Sequence, residues 1–169
     1  MTSEAPQRSE QRSWIMPVAI AMLVCICIGC DQGTKLVARD QLAPKQWVEV
    51  VPSVFSLTNV ENTGAFLGLG SELGAWRAPL MVWLPGAVLF GLLGYIILGK
   101  QLPSNQRLIM ALIVGGGFGN LIDRIRYGSV TDFLHLDFGL FRTGIFNVAD
   151  LLITTGMVVL LFMSFKAKK

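Results

Sequence analysis

Four apolar runs dominate the chain: Trp14 to Cys30, Pro79 to Gly99, Leu108 to Ile122 and Ile145 to Phe165. A helix needs about 17–25 mainly apolar residues to cross a bilayer. The second and fourth runs reach that length. The first lies at its short end, and the third is short enough that its helix is expected to extend outward at one end. Only the fourth run carries a charge, Asp150. Between the runs the pattern changes period. "WVEVVPSVFSLTNV", Trp47 to Val60, is rich in β-branched and aromatic residues, nearly alternates, and is broken by a proline; it predicts a small β element lying on the membrane surface. "TDFLHLDFGLFRTGIF", Thr131 to Phe146, predicts one or two short strands or a hairpin, with Gly139 and Thr143–Gly144 as turn signals. Residues 1–13 are polar and predict a disordered tail, and 166–169 form a second short tail. The fold class is thus an integral membrane protein, mainly α, with four transmembrane helices and a small β element, in a single domain over 14–165.

Composition supports lipid as the surroundings. Of 169 residues, 53% are hydrophobic and 15% charged, against about 25% charged in ordinary globular chains. A domain this small has little interior in which to hide so much apolar surface. The net charge of +3 gathers near the ends, so no nucleic-acid surface is expected.

Charge also sets orientation. Arg8, Arg12, Lys100, Arg107, Lys166, Lys168 and Lys169 crowd the two tails and the short 100–107 loop. The stretches 31–78 and 123–144 hold Asp31, Asp40, Glu49, Glu61, Glu72, Asp123, Asp132 and Asp137. Basic residues stay in the cytoplasm, so both termini are expected there and both acidic stretches outside it, on the periplasmic face. Trp14, Trp47, Trp76 and Trp83 lie near predicted boundaries and read as an interfacial belt.

Cys25, Cys27 and Cys30 lie in one apolar run and cannot frame a disulfide fold. Cys27-x-x-Cys30 lacks a second ligand cluster, so apolar filling accounts for it better than redox or metal chemistry. Basic residues, an apolar run and Gly29–Cys30 also match the start of a chain lipidated on the cysteine and cut before it. Four spans rule out a leader followed by a soluble body.

Asp150 is the most informative residue. It falls about 7 Å down the fourth run at 1.5 Å per residue, and a carboxylate there needs polar partners. Asn147 and Thr154 share its helical face. Asp132 returns to similar depth after the third span. Two carboxylates about 3 Å apart cannot both ionise; they share a proton and serve as base and acid. Asp123, beside the charge of Arg124, competes with Asp132 for this role. Spacing does not choose between them, and all three also fit solvated or ion-paired interface residues.

Asp31 and Lys35, spaced i,i+4, suit either a helix end or a substrate-facing pair. "GGGFGN", Gly115 to Asn120, lacks the phosphate-loop spacing and reads as close helix packing through Gly115 and Gly119. His135 with Asp132 and Asp137, or with Ser129, gives no convincing metal set or triad.

"DQGTK", "NVENTGAFLGLG", "GGGFGNLIDRIRYGSVTDF" and "FNVAD" occur in that order. Together, over roughly Trp14 to Phe165, they resemble the lipoprotein signal peptidase (signal peptidase II) family of integral four-helix aspartyl peptidases. These cut prolipoproteins just before the lipid-modified cysteine. The resemblance implies a catalytic pair at Asp132 and Asp150, with supporting positions at Asp31, Lys35, Asn62, Asn120, Asp123, Arg124 and Asn147. Asn62 and Arg124 would hold the substrate backbone, and Asn147 would set the pair. It implies lipid-modified prolipoproteins and membrane lipids as partners, with no cofactor, metal or obligate protein partner, and an inner-membrane location with the site on the outer face. "NTGAFLG", "DQGTK" and "VTDF" stand where the family commonly has "NTGAAFS", "DQxSK" and "VVDF". Two readings from other classes stand beside it: a proton-coupled transporter or channel subunit using Asp150 as a relay, and a lipidated scaffold anchored at Cys30.

Overall fold

The structure, a computed structural model, describes residues 5–64, 79–99 and 101–166, with side chains from Trp14 onward. Four long helices carry the architecture: α1 (Ala5–Gln41), α2 (Leu84–Leu98, entered through a π-helical turn at Pro79–Trp83), α3 (Ser104–Tyr127) and α4 (Val148–Lys166). All four are long and apolar enough to cross a membrane. Their outward faces stay apolar: Met22, Ile26, Val88, Phe90, Met157 and Phe162 are exposed on the isolated chain, as lipid-facing positions must be. Trp14, Trp47 and Trp83 are also exposed.

The helices pack around α3, which meets α1, α2 and α4. Small residues allow this closeness. A Cβ on Gly115 would stand 2.5 Å from the Cys27 Cβ, and one on Gly119 would run into the Asp31 carboxylate. Gly116 faces α4 in the same way, 2.6 Å from the Ala149 carbonyl oxygen. At the end away from the sheet, Arg107 is buried and donates from Nε to the Ile96 carbonyl (2.6 Å) and from Nη2 to that of Ile97 (2.9 Å). It thereby satisfies carbonyls that the end of α2 leaves open.

Three antiparallel strands, β1 (Val48–Val51), β2 (Phe55–Asn62) and β3 (Val130–Leu136), form one sheet in that order. The segment after β3 folds back on it, with bridges from Leu134 to Phe146 and from Asp137 to Arg142. Gly128 ends α3 with a left-handed φ of 70°, a conformation that glycine adopts without a Cβ penalty. Only two residues separate α3 from the strand that carries Asp132.

The helices depart from the expected bounds. α1 does not stop at Cys30 but runs to Gln41, so "DQGTK" is mid-helix. Its start at Ala5 puts helix into the 1–13 stretch expected to be disordered. α3 extends the short third run at both ends, not at one. α4 starts at Val148 rather than Ile145, which puts Asp150 in its first turn instead of well down the helix. The part of "NTGAFLG" from Ala65 on, where the sequence differs from the family's "NTGAAFS", lies outside the described residues, as do Glu72, Trp76, Lys100 and the tail 167–169.

Candidate active site

Asp132 and Asp150 arrive from different elements, a strand and a helix start, and one residue touches both. Asn147 stands immediately before α4. Its backbone N–H donates to Asp150 Oδ2 (3.2 Å), and its Oδ1 accepts from the Asp150 backbone N–H (3.1 Å). This is the reciprocal exchange of a capping box, with Asn and Asp in place of Ser/Thr and Glu. The remaining donor, Nδ2, reaches Asp132 Oδ1 at 2.6 Å. Capping the helix and holding the two acids are therefore one set of bonds.

The other two carboxylate oxygens are also occupied. Asn62, at the end of β2, donates to Asp132 Oδ2 (3.0 Å), and Asn120 of α3 donates to Asp150 Oδ1 (2.9 Å). Each of the four oxygens thus faces an amide N–H. Burial pushes the Asp132 carboxyl up to about 6; the bonds from Asn62 and Asn147 pull it down, the negative charge of Asp150 pushes it up, and Lys35 pulls it down. Both acids, with Asn62, Asn120 and Arg124, line a groove of about 830 Å³. Its other walls are mainly apolar, from Val88 and Leu89 on α2 to Leu151 and Ile153 on α4. Arg124 donates to the carbonyls of Asn120 (3.4 Å) and Gly64 (3.3 Å).

Behind this wall lies a buried charge cluster. Lys35 and Asp31 are fully buried, and the Lys35 Nζ meets Asp31 Oδ2 (2.8 Å), Asp123 Oδ2 (3.0 Å) and Asn120 Oδ1 (2.8 Å). An ammonium only donates, so Asn120 must turn its oxygen to Lys35 and its N–H to Asp150. Asp31 Oδ1 accepts from the Ala149 backbone N–H (2.9 Å), a second tie to the first turn of α4. The choice left open for Asp31 and Lys35 resolves to this interior: neither ends a helix, and neither lines the groove. Asp123 pairs with Lys35 and Arg39 of α1, so it belongs to the cluster rather than to the carboxylate pair.

Gln32, Arg39 and Thr131, to which sequence reading gave no role, complete the network with Glu61, counted there only as an outer acid, and Ser129, weighed there only as a triad partner of His135. Gln32 Nε2 donates to Asp123 Oδ1, the Gly119 carbonyl and Asp31 Oδ2 (3.0, 3.1 and 3.2 Å). The signal was present in the i,i+4,i+8 spacing of Asp31, Lys35 and Arg39, a polar stripe on a helix that continues. His135 packs edge-on against Trp47, with ring centroids 5.2 Å apart.

Known proteins match most of this chain. The family profile described as Signal peptidase (SPase) II matches residues 23–166. A lipoprotein signal peptidase of Gloeobacter violaceus is 36% identical over 153 residues, covering 90% of this chain and 82% of that protein. One from Thermosynechococcus vestitus is 38% identical over 140 residues, covering 81% and 85%. A solved bacterial membrane enzyme, determined by the in meso method at 2.3 Å, superposes with a TM-score of 0.78 at 24% identity, over 89% of each chain. A second, at 1.9 Å, gives 0.74 at 25% identity, over 87% of this chain and 92% of the other. With four membrane-crossing helices, a three-stranded sheet and a profile match over most of its length, the chain belongs to the signal peptidase II family.

Proposed function

We propose that this chain is an aspartyl endopeptidase of the bacterial inner membrane, with both termini in the cytoplasm and its site at the outer face. It cleaves the signal peptide of prolipoproteins immediately before the diacylglyceryl-modified cysteine. The observation that carries the reading is Asn147, which bonds Asp132 and Asp150 at once on the wall of one groove.

The chemistry needs a water between the two carboxyls, one of them protonated. The ionised carboxylate takes a proton from the water, whose oxygen attacks the scissile carbonyl carbon. The protonated carboxyl gives its proton toward the carbonyl oxygen, and a tetrahedral intermediate forms. Collapse breaks the C–N bond: the departing amine leaves with the proton first taken from water, and a hydroxyl of the intermediate returns its proton to the other carboxylate as the carbonyl re-forms. The pair ends with one proton, as it began. Asp132 suits the protonated member, because its burial and the nearby charge of Asp150 both favour its neutral form. The amide donors on all four oxygens favour this work over cation binding, since a metal ion would face the positive ends of those N–H groups. The apolar groove accommodates an extended peptide and acyl chains, with Asn62 and Arg124 placed to meet the peptide backbone.

Purified Asp132→Asn and Asp150→Asn, incubated with a lipidated precursor in micelles, should each process it about a hundred- to ten-thousand-fold more slowly, the span of general acid–base catalysis. The unlipidated precursor should be a poor substrate for the wild type. Normal processing by either variant would overturn the reading.

A further inference from the structure

The β2–β3 pair has two faces, because successive side chains on a strand point to opposite sides. Glu61 pairs across the strands with Thr131, Val60 with Asp132 and Asn62 with Val130. Asp132 and Asn62 therefore share the face toward the groove, while Glu61, Ser129 and Thr131 share the back. The back face carries its own bonds. Thr131 Oγ1 donates to Glu61 Oε1 (2.7 Å), and Ser129 Oγ donates to Glu61 Oε2.

Arg39, near the end of α1, meets that face. Its Nε donates to Thr131 Oγ1 (2.7 Å) and lies 3.9 Å from Glu61 Oε1. Its Nη2 lies 3.0 Å from Asp123 Oδ1 on α3, and its guanidinium stacks 4.1 Å above the Tyr127 ring. One planar cation on α1 thus touches β2 and β3 through its Nε edge and α3 through Nη2 and its face. Thr131 and Glu61 are the chain neighbours of Asp132 and Asn62, so any slip at Arg39 reaches the groove side within one residue.

We propose that Arg39 is a positioning residue: it fastens the back of the β2–β3 pair to α1 and α3 and so sets where Asp132 and Asn62 stand. The role rests on the proteolytic reading above. Arg39 meets the Lys35 cluster at Asp123, which both cations share, but it acts on the sheet, whereas the Lys35 cluster steers Asp150 through Asn120 and α4. Two anchors, one for each acid, hold the pair in register.

The test measures kcat, KM and the pH profile of kcat/KM on a lipidated precursor for Arg39→Met, Arg39→Lys, Thr131→Val and the Arg39→Met/Thr131→Val double variant. Asp132→Asn serves as control. For Arg39→Met, kcat should fall about tenfold, a fraction of what a 1 Å misplacement can cost, with KM within about twofold. The alkaline limb should move up by about half a unit, because the amide bonds that hold the Asp132 carboxyl down slacken. The other charged groups around Asp132 are Asp150 on α4, Arg124 on α3 and Lys35 on α1; Lys35 shares Asp123 with Arg39 and keeps its bonds to Asp31 and Asn120 in every variant. Arg39→Lys should behave like Arg39→Met, since one ammonium cannot span Thr131, Asp123 and the Tyr127 ring together. Losses in the double variant should be less than additive.

Wild-type kcat in Arg39→Met, an unmoved limb with lowered thermal stability alone, full recovery in Arg39→Lys, or additive losses would each overturn the proposal. Active Asp132→Asn would remove the proteolytic reading and this role together. Inactive Asp132→Asn beside wild-type Arg39→Met removes only the role of Arg39.

Discussion

Asn147 and Asp132 concentrate the chemistry at the residue scale. Asn147 uses its backbone N–H, its amide oxygen and its amide N–H on the two acids. Asn147→Ala removes a helix cap and leaves Asp132 one donor short. It should cost about 1–3 kcal/mol of stability, read as a lowered thermal midpoint, and at least about a hundredfold in kcat. Asp132 makes a separate prediction through its raised carboxyl. Between its ordinary value near 4 and about 6, the folded protein keeps a proton that the unfolded chain has lost. The contribution of this group is therefore fully present below about pH 4 and is lost as pH rises through about 6. The whole change is on the order of 3 kcal/mol. Thermal unfolding in micelles, compared between wild type and Asp132→Asn, should show the wild type losing ground over that window. A difference that stays flat from pH 4 to 7 would contradict the raised carboxyl.

At the scale of elements, the α3–α4 contact fixes where Asp150 sits. Gly116 lies against the Ala149 carbonyl in the turn of α4 that carries the acid. Gly116→Ala should push the helices apart at a cost of about 1–3 kcal/mol and lower kcat along with the thermal midpoint. Gly94→Ala, with nothing within 4 Å of its new Cβ, should change neither. Four helices and a small sheet were legible in the hydropathy pattern because lipid-facing residues have to be apolar and surface strands alternate. The ends of α1 and α3 were not legible. Charge was read as the edge of the bilayer, whereas Asp31, Lys35 and Asp123 are buried in a helix–helix interface where they neutralise one another. From spacing alone the carboxylate pair was visible only as two candidates for one partner of Asp150, and the family resemblance chose Asp132. Spacing along the chain cannot show that Asp123 points at α1 while Asp132 points into the groove. Arg39 escaped for the same reason: its four contacts come from elements far apart in sequence.

Among the described residues, Arg107 apart, the buried side-chain bonds gather at the sheet end of the bundle, where the C-termini of α1 and α3 meet the start of α4. If both termini lie in the cytoplasm, that end faces outward, and the turn between β1 and β2 must be reachable from outside. A Ser53→Cys variant, with Cys25, Cys27 and Cys30 changed to Ala, places a single thiol in that exposed turn. Ser104→Cys in the same background places it at the exposed start of α3, one membrane crossing away in the order of the chain, through α2. A charged maleimide that cannot cross the inner membrane should label the first in intact cells, and the second only after the membrane is broken. The reverse pattern would put the acids on the cytoplasmic side. A precursor whose lipidated cysteine has already been carried across could not reach them there, so orientation tests the substrate assignment as directly as catalysis does.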